Sequence, residues 1–464
     1  MKMSAMQMAP AFLAILSCLS TSAQNGPPSS VEATSVALDR PHGLAYDTAG
    51  NLYIADTDEN IIRKVDLYGI ITTVAGDGEQ GYGGDSGSAT AALLDSPAGI
   101  AVDSSGNIYI ADTHNNRVRK VLASSGDIKT IAGTGVAGFS GDGSAATAAQ
   151  LSLPTAVAVD SLGNVYIADT NNHRIRKITG TTINTVAGNG EQFYSGDGGL
   201  ATAAGLDSPN GVAVDAAFNL YIGDTHNQRL RLVTFTTGFI TTLAGTGIKG
   251  FTADGPAASA ALARPRGVAV DTYGDVYLAD SDNERIRTIS GGTVTTIAGN
   301  GTEGFSGDGN ASTSAWLDTP GAVAISGATV LFSDTENNRV RQVSSGVIDT
   351  IVGLAPPPVQ ASLISPAAGS VLGSSATFTW TSGTGVTDLQ FWLGNTGAGS
   401  SNLYNSGYTS ATSVTVIGLP ANGGTIYARL WSEIYGGWVY TDYTFTAAPK
   451  ATPHRVNTRT RFSR

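Results

Sequence analysis

The segment Asn107-Ile108-Tyr109-Ile110-Ala111-Asp112-Thr113 decides the fold, because variants of it recur along most of the chain. The recurrences lie 54 to 57 residues apart. Their strand-ending aspartates are Asp56, Asp112, Asp169, Asp224, Asp280 and Asp334. A period of this length indicates that one supersecondary unit is repeated, here six times from about Pro41 to Leu354.

Each unit is predicted to form four short strands, which we label a to d in chain order. In the second unit these are residues 99–103, 107–112, 117–122 and 127–132, separated by turn-forming residues. Strands a and b are apolar on both faces, which is typical of a sheet covered on both sides. Four-stranded sheets repeated around an axis form a β-propeller, so we expect an all-β protein with six blades.

The third unit resembles the NHL repeat. It contains Ala158-Val159-Asp160, then Gly163-Asn164-Val165-Tyr166-Ile167-Ala168-Asp169-Thr170, then Arg174-Ile175-Arg176-Lys177. It departs from the family pattern at Ala156, where the pattern has Gly. With the Gly-rich segments between units, the chain is similar to exported bacterial NHL proteins and to the NHL domain of teneurins. This resemblance covers about two thirds of the chain and implies a six-bladed NHL-type propeller over residues 41–355.

The N-terminus has the pattern of an export signal. Lys2 precedes an apolar stretch, and small residues end at Ala23, so we expect residues 1–23 to be a signal peptide. Cys18 is the one cysteine and lies inside this segment, where it could carry a lipid anchor. Residues 24–40 form a lead-in, in which Val31–Leu38 could add an outer strand and close the ring.

A second domain follows a proline-rich linker at 356–360. Alternating aromatic and polar residues over 361–448 resemble an immunoglobulin-like or fibronectin-type β-sandwich without its cysteine pair. The tail at 449–464 is polar and basic, and we expect it to be disordered. Exported proteins occupy the periplasm, the cell surface or the medium, and the sequence favours none of these three.

Composition excludes some classes of function. The 464 residues include 59 Gly and carry a net charge of −11, with several of the basic residues in the C-terminal tail. Such an acidic body repels phosphate backbones, so nucleic-acid binding is disfavoured. No stretch after the signal peptide is long and apolar enough to predict a transmembrane segment.

The connections from strand d to the next strand a are about 20 residues long and are candidate binding loops. Five of them carry an aromatic residue three positions before an aspartate. These pairs are Tyr82/Asp85, Phe139/Asp142, Tyr194/Asp197, Phe251/Asp254 and Phe305/Asp308. Fivefold repetition favours a structural role, in which the aromatic fills a gap between blades and the aspartate holds the Gly-rich turn. The Asp-Gly clusters could hold calcium, but their spacing is not that of an EF-hand, and we predict neither a metal nor a cofactor.

Residues that break the symmetry are better candidates for function, because a reaction or a ligand site needs each group once. The position after the first proline of strand a should line the mouth of the central channel. Its occupants are His42, Ala98, Thr155, Asn210, Arg266 and Gly321. This set lacks the ligands of a catalytic zinc. His42 and Arg266 could bind a small anion or act as acid and electrophile, and His42, Asn210 and Arg266 are the candidate site residues of the mouth.

The remaining candidates are aromatic or belong to turns. Trp431 and Trp438 could form a coplanar platform for sugar rings, or they could belong to the sandwich core. His114, His173 and His226 lie in b–c turns, where a solvated role is the default. The strand-ending aspartates could accept turn N–H groups or pair with a strand-c arginine.

These observations favour a non-enzymatic, exported binding or scaffolding protein that presents one propeller face to a protein or glycan at the cell envelope. The first alternative is an enzyme of the propeller lyase or lactonase kind, acting at the channel mouth. The second is a carbohydrate-binding protein acting through the C-terminal aromatic residues. No catalytic residue is predicted.

Overall fold

The computed structural model describes residues 31–354, 360–383, 386–434 and 437–450. Within these ranges the chain is all-β, as expected, and its only helices are three-residue 3₁₀ turns. The predicted signal peptide with Cys18, the proline run 356–358 and residues 451–464 of the tail lie outside the described residues.

The repeated part forms six antiparallel sheets, each made from its own repeat in the order a-b-c-d. Strand a spans Pro41–Tyr46, Pro97–Val102, Pro154–Val159, Pro209–Val214, Pro265–Val270 and Pro320–Ser326. Strand b spans Leu52–Asp56, Ile108–Asp112, Val165–Asp169, Leu220–Asp224, Val276–Asp280 and Thr329–Asp334. Strand c spans Ile61–Val65, Arg117–Val121, Arg174–Thr179, Arg229–Thr234, Arg285–Ser290 and Arg339–Ser344. Strand d spans Ile71–Ala75, Ile128–Ala132, Thr182–Ala187, Phe239–Ala244, Thr293–Ala298 and Val347–Val352.

Each d-to-a connection also pairs with the outer strand of the following sheet. Four of them form a two-residue strand there: Ser144–Ala145, Gly199–Leu200, Gly255–Pro256 and Asn310–Ala311. The alanine-rich segments next to these contacts form 3₁₀ turns at Ala89–Ala91, Ala146–Ala148, Ala201–Ala203, Ala257–Ser259 and Ser312–Ser314. Two further 3₁₀ turns, Thr170–Asn172 and Ser281–Asn283, lie between strands b and c.

The sheets are joined into a ring by a repeated hydrogen bond. The hydroxyl after each strand b donates to the carbonyl of the proline that starts strand a of the next sheet. Thr113 Oγ1 lies 2.8 Å from the Pro154 carbonyl in this way. The last sheet returns to the first, because Thr335 Oγ1 donates to the Pro41 carbonyl at 2.9 Å.

The lead-in completes this closure. Glu32 bridges Ile70 beside the outer strand of the first sheet, and Ala33 N–H donates to the Gly69 carbonyl at 2.9 Å. The Ala33 carbonyl accepts the N–H of Gly353, which follows the last strand of the sixth sheet. Ala33–Ser35 therefore occupies the place that the alanine-rich 3₁₀ turns fill elsewhere, as a latch between the first and last sheets.

The innermost strands approach each other closely at glycine. A Cβ on Gly99 would lie 2.6 Å from the Thr155 carbonyl oxygen of the next sheet, and one on Gly267 would lie 2.6 Å from the Gly321 carbonyl oxygen. Apolar side chains fill the space between neighbouring sheets, where Tyr109 and Ile167 belong to one such buried cluster. This packing holds the first residues of every strand a around one central cavity.

The C-terminal part forms two further sheets. One contains Leu363–Ser365, Ser375–Trp380 and Ser413–Ile417, and the other contains Val371–Leu372, Val386–Gly394, Tyr404–Asn405, Thr425–Ile434 and Gly437–Ala447. Their core includes Phe378, Trp380, Phe391 and Phe445, with Trp380 stacked on Phe391 at a centroid distance of 5.0 Å.

Candidate functional site

The d-to-a connections and the b–c turns lie on the same side of the six sheets, which we call the loop face. This placement follows from the strand order, because strands b and d both run toward the side from which strand a starts. The channel mouth, formed by the residues after the first proline of strand a, opens on the same side. The sequence-predicted loop and channel residues therefore share one face.

The strand-ending aspartates are fully buried and hold the architecture together. In the second sheet, Asp112 Oδ1 accepts the N–H of Asp95, just ahead of strand a, at 2.9 Å. Asp112 Oδ2 lies 3.1 Å from Nη1 of the buried Arg119 in the same sheet. Burial raises the pKa of Asp112 to about 6, although the Asp95 N–H and the Arg119 charge act in the opposite direction.

The same arginine also binds the preceding loop. Arg119 Nη2 donates to Asp85 Oδ1 at 2.8 Å and to the Gly83 carbonyl at 2.9 Å. We call this arrangement the Asp–Arg–Asp bridge. It recurs at Asp169–Arg176–Asp142, Asp224–Arg231–Asp197, Asp280–Arg287–Asp254 and Asp334–Arg341–Asp308.

The loop aromatics cover these bridges. The Tyr82 ring stacks on the Arg117 guanidinium at 3.7 Å and lies 5.0 Å from that of Arg119. Phe139, Tyr194, Phe251 and Phe305 repeat this contact with the arginines of their own junctions. The five aromatic–aspartate pairs thus have intramolecular partners, yet Tyr82 and Phe251 still expose 42% and 44% of their surface. A role for them in binding stays a prediction.

The first sheet differs from the other five. Its Arg63 pairs with Asp56 at 3.2 Å and with Thr73 at 2.9 Å, but the described part of the lead-in, residues 31–40, brings no loop aspartate or aromatic to it. Its side chain is accordingly 21% exposed, whereas the other five strand-c arginines of this set are fully buried.

The predicted mouth residues do line one cavity of about 330 Å³ at the centre of the ring. His42, Asn210 and Arg266 reach it from the first, fourth and fifth sheets, and Gly321 occupies the sixth. A Cβ at Gly321 would lie 2.7 Å from Thr335 Oγ1 and 3.1 Å from His42 Nδ1, so this position stays without a side chain. Below the mouth the cavity is aliphatic, with Leu44, Ile100, Val157, Val212, Val268 and Val323 in its wall.

Arg40 also lines the cavity and was missed by the sequence analysis, because it precedes the proline used to locate the mouth. Its guanidinium donates to Glu336 Oε1 at 2.7 Å and lies 3.7 Å from Asp58 Oδ2. The positive charge of Arg40 is therefore already paired.

Burial, with the positive charges of Arg266 and Arg40, lowers the pKa of His42 to about 4. The imidazole is therefore uncharged at neutral pH. Burial also lowers the pKa of Arg266, with Arg264 and Arg40 adding to the effect, while Asp282 and Glu336 oppose it.

The other histidines belong to turns. His173 Nδ1 accepts the N–H of Ser208 at 3.0 Å, which joins the third and fourth sheets. Asn60, Asn116, Gln228, Glu284 and Asn338 make the same bond at the other junctions. The side chain of His114 is 53% exposed beside Asp95, and His226 lies 3.2 Å from the Arg264 guanidinium. Within the described residues, no three His, Cys, Asp or Glu side chains are grouped to hold a metal ion.

Trp431 and Trp438 lie on the outer face of the five-stranded C-terminal sheet. Trp431 packs against Tyr440 at 4.8 Å and against Trp438 at 6.4 Å. The planes of Trp431 and Trp438 are 80° apart, so the expected coplanar platform is wrong: neighbouring side chains hold the two rings edge to face. Both tryptophans are partly exposed rather than buried.

The repeated part of the chain matches a known family of repeats. The NHL repeat model matches residues 94–121, 151–178 and 262–289, within the second, third and fifth units. The chain therefore contains NHL repeats, as the strand and turn motifs indicated.

Known relatives share the repeated part. The chain is 31% identical over 268 residues to Protein SUPPRESSOR OF QUENCHING 1, chloroplastic, of Arabidopsis thaliana, covering 54% of this chain and 25% of that protein. It is 30% identical to human Teneurin-1, covering 53% and 10%, and 27% identical to human NHL repeat-containing protein 2, covering 54% and 39%. The chain thus spans well under half the length of these relatives.

Solved structures resemble the chain more distantly. An auxiliary nutrient binding protein from Bacteroides thetaiotaomicron has a TM-score of 0.49 and 17% identity, covering 66% of this chain and 69% of that one. Virginiamycin B lyase from Staphylococcus aureus has a TM-score of 0.41 and 16% identity, covering 69% and 87%. In the described part of the chain, no helix has the length and apolarity needed to cross a membrane.

Proposed function

We propose that the six sheets are the blades of a closed NHL-type β-propeller, and that the protein is an exported, non-enzymatic binding or scaffolding protein. Its loop face would contact a protein or glycan at the cell envelope. The proposed domains are those predicted above, with residues 41–355 as the propeller and 361–448 as an immunoglobulin-like sandwich.

The observation that carries this proposal is the partly apolar loop face, whose long loops are tied to the sheets by ion pairs and ring contacts. The Asp–Arg–Asp bridges and their aromatic covers fix five long loops, so little conformational entropy is lost when a partner binds. Beside them, Val136, Phe193 and Ile248 expose 59%, 50% and 71% of their surface. Aromatic and arginine side chains in such a setting are typical of interface hot spots.

The channel mouth supports binding over acid–base catalysis. A general acid or base works best with a pKa near the working pH. The pKa of His42, about 4, leaves it uncharged and weakly basic at pH 7. A propeller lyase or lactonase acting here would need another group for proton transfer.

Co-sedimentation of the full-length protein with cell envelopes, peptidoglycan and insoluble polysaccharides tests the proposal. We expect wild type to pellet and the triple variant Val136→Ser, Phe193→Ser, Ile248→Ser to lose binding by at least about fivefold. The matched control replaces Tyr68, Leu162 and Tyr273 by Ser; these are 85%, 75% and 91% exposed in turns on the opposite side. Equal losses in both variants, or no pelleting of wild type, would contradict the proposal.

A second candidate, glycan binding by the C-terminal part, is favoured by its aromatic outer face. The solvent side of an antiparallel sheet is usually polar, but here Tyr408 and Tyr440 are 71% and 47% exposed beside the partly exposed Trp431 and Trp438. Arg429 stacks 3.6 Å from Tyr440 and donates two hydrogen bonds to Asp442, which fixes the patch.

The same co-sedimentation assay separates this candidate from the first. Tyr408→Ser with Tyr440→Ser should abolish pelleting with polysaccharide if the sheet face is the glycan site. Val371→Ser with Ile417→Ser is the matched control, since these residues are 63% and 79% exposed in the two C-terminal sheets and lie outside the aromatic patch. An unchanged pelleted fraction in the tyrosine variant would exclude this candidate.

A further inference from the structure

Arg266 is the unusual arginine of the repeated part. Within the described residues its guanidinium has no hydrogen bond or ion pair. Every other arginine between residues 31 and 354 donates to a carboxylate, a carbonyl or a histidine of the protein. A half-buried cation without a partner costs stability, so its presence calls for a ligand.

Two further polar groups accompany it. The side chains of His42 and Asn210 also line the cavity and have no hydrogen-bond partner within the described residues. The three residues come from the fourth, fifth and first sheets and line the same cavity, and Gly321 of the sixth sheet, between Arg266 and His42 in the ring, has no side chain. All three can donate hydrogen bonds, and only Arg266 is charged at neutral pH.

We propose that the channel mouth binds a small organic monocarboxylate, with its carboxylate on Arg266, Asn210 and His42 and its carbon skeleton against the aliphatic wall below. The planar guanidinium fork matches a carboxylate in two parallel hydrogen bonds. The Asn210 amide and the neutral His42 imidazole donate to the remaining lone pairs. Leu44, Val212 and Val268 are among the residues that the skeleton would contact.

The charged groups around the channel mouth favour a ligand with one negative charge over phosphate. Arg40, the other cation in the cavity wall, forms ion pairs with Glu336 and Asp58. Around Arg266, the positive charges of Arg264 and Arg40 are offset by the negative charges of Asp282 and Glu336. One available positive charge suits one negative charge, whereas a dianion would face uncompensated repulsion. The cavity of about 330 Å³ is at the small end of ligand pockets, which fits an acid of benzoate or butyrate size.

Calorimetric titration of the full-length protein with benzoate and butyrate tests this site. We expect a dissociation constant of about 1 mM or tighter for at least one acid. The neutral isosteres benzamide and butyramide should bind at least about tenfold more weakly, because they lack the charge that Arg266 recognises. Arg266→Leu should weaken binding of the acid by at least about tenfold for the same reason.

Arg264→Gln is the matched control, since it removes a nearby arginine that is paired with His226 and is not part of the cavity wall. It should change the affinity by less than about twofold, and circular dichroism should show that both variants are folded. The proposal is overturned if neither acid binds at a concentration tenfold above the expected dissociation constant, or if the amides bind as tightly as the acids. It is also overturned if phosphate binds more tightly than both acids, or if Arg266→Leu binds the acid like wild type. This site is additional to the envelope-binding surface proposed for the loop face. Co-sedimentation with envelopes can therefore fail while the protein still binds carboxylates, and carboxylate binding can fail while the protein still pellets with envelopes.

Discussion

Two arginines on the loop face differ in whether the protein itself provides their hydrogen-bond and ion-pair partners. Arg231, in the fourth sheet, is fully buried with Asp224 Oδ2 at 3.1 Å and Asp197 Oδ1 at 2.7 Å. Arg266, at the channel mouth, is also largely removed from water but has no partner within the described residues. The protein supplies the partners of Arg231, which recurs in the sheets, whereas Arg266, which occurs once, is available to a ligand.

The largest effect should come from breaking an Asp–Arg–Asp bridge. Arg231→Leu leaves the buried Asp224 and the loop Asp197 without their cation, so we expect a loss of about 3–5 kcal/mol in the free energy of unfolding. Arg63→Leu, in the sheet that lacks the loop aspartate and the aromatic cover, should cost roughly 1–2 kcal/mol. Urea unfolding followed by circular dichroism measures both, and equal losses would refute the distinction between the first sheet and the others.

The next largest loss of stability is expected at the hydrogen bond that closes the ring. Thr335→Val leaves the buried Pro41 carbonyl without its donor, which should cost about 1–3 kcal/mol. Thr113→Val breaks the corresponding bond between the second and third sheets and should cost the same, if the last junction is as tight as the internal ones. A negligible effect of Thr335→Val beside a clear effect of Thr113→Val would show that the ring is open at this point.

A smaller, pH-dependent effect is expected at Glu284, which stands where the other junctions have Asn, Gln or His. Burial, with the nearby carboxylates of Asp318, Glu303 and Asp282, raises its pKa from 4.5 to about 7, against the Thr319 N–H. A raised folded-state pKa means that this group favours folding below pH 4.5 and loses that contribution as the pH rises through 7.

Glu284→Gln should therefore match wild type near pH 4.5 and exceed its stability by about 1 kcal/mol at pH 8, allowing for partial exposure. Gln is a suitable replacement because Gln228 already accepts the Arg264 N–H at 2.6 Å at the equivalent junction. Thermal unfolding of both proteins across this pH range measures the difference. A gain that is independent of pH would contradict the electrostatic explanation.

The smallest effect on stability is expected for Arg266→Leu without ligand. Because the guanidinium has no partner to lose, the free energy of unfolding should stay within about 0.5 kcal/mol of wild type or increase. This outcome would complete the contrast with Arg231→Leu. A loss of more than about 2 kcal/mol would instead indicate that Arg266 is part of the architecture.

The sequence predicted much of this arrangement because periodic patterns depend on local physics. The spacing of the repeats predicted the strands, and the position after the first proline of strand a predicted which residues line the cavity. The resemblance to NHL repeats, drawn from the strand motifs of the third unit, is supported by the matching family model.

Contacts between distant segments were harder to predict. The aromatic covers on the bridges depend on where a 20-residue loop folds back, which no local pattern encodes. The same holds for the pairing of Arg40 with Glu336, nearly 300 residues away. A latch within Val31–Leu38 was expected, but as an outer strand, whereas the structure has a 3₁₀ turn at Ala33–Ser35. The edge-to-face packing of Trp431 and Trp438 depends on cross-strand neighbours, so the sequence left a core role and a coplanar platform open and did not predict the partly exposed, edge-to-face pair.

A crystal structure of the full-length protein with benzoate or butyrate, at ten times the measured dissociation constant, tests the central claim most directly. We predict a carboxylate at the channel mouth, with its oxygens about 2.7–2.9 Å from the Arg266 guanidinium and the carbon skeleton toward the aliphatic wall. An empty mouth at this concentration, with Arg266 paired to Asp282 or Glu336 instead, would contradict the claim that this arginine is reserved for a ligand.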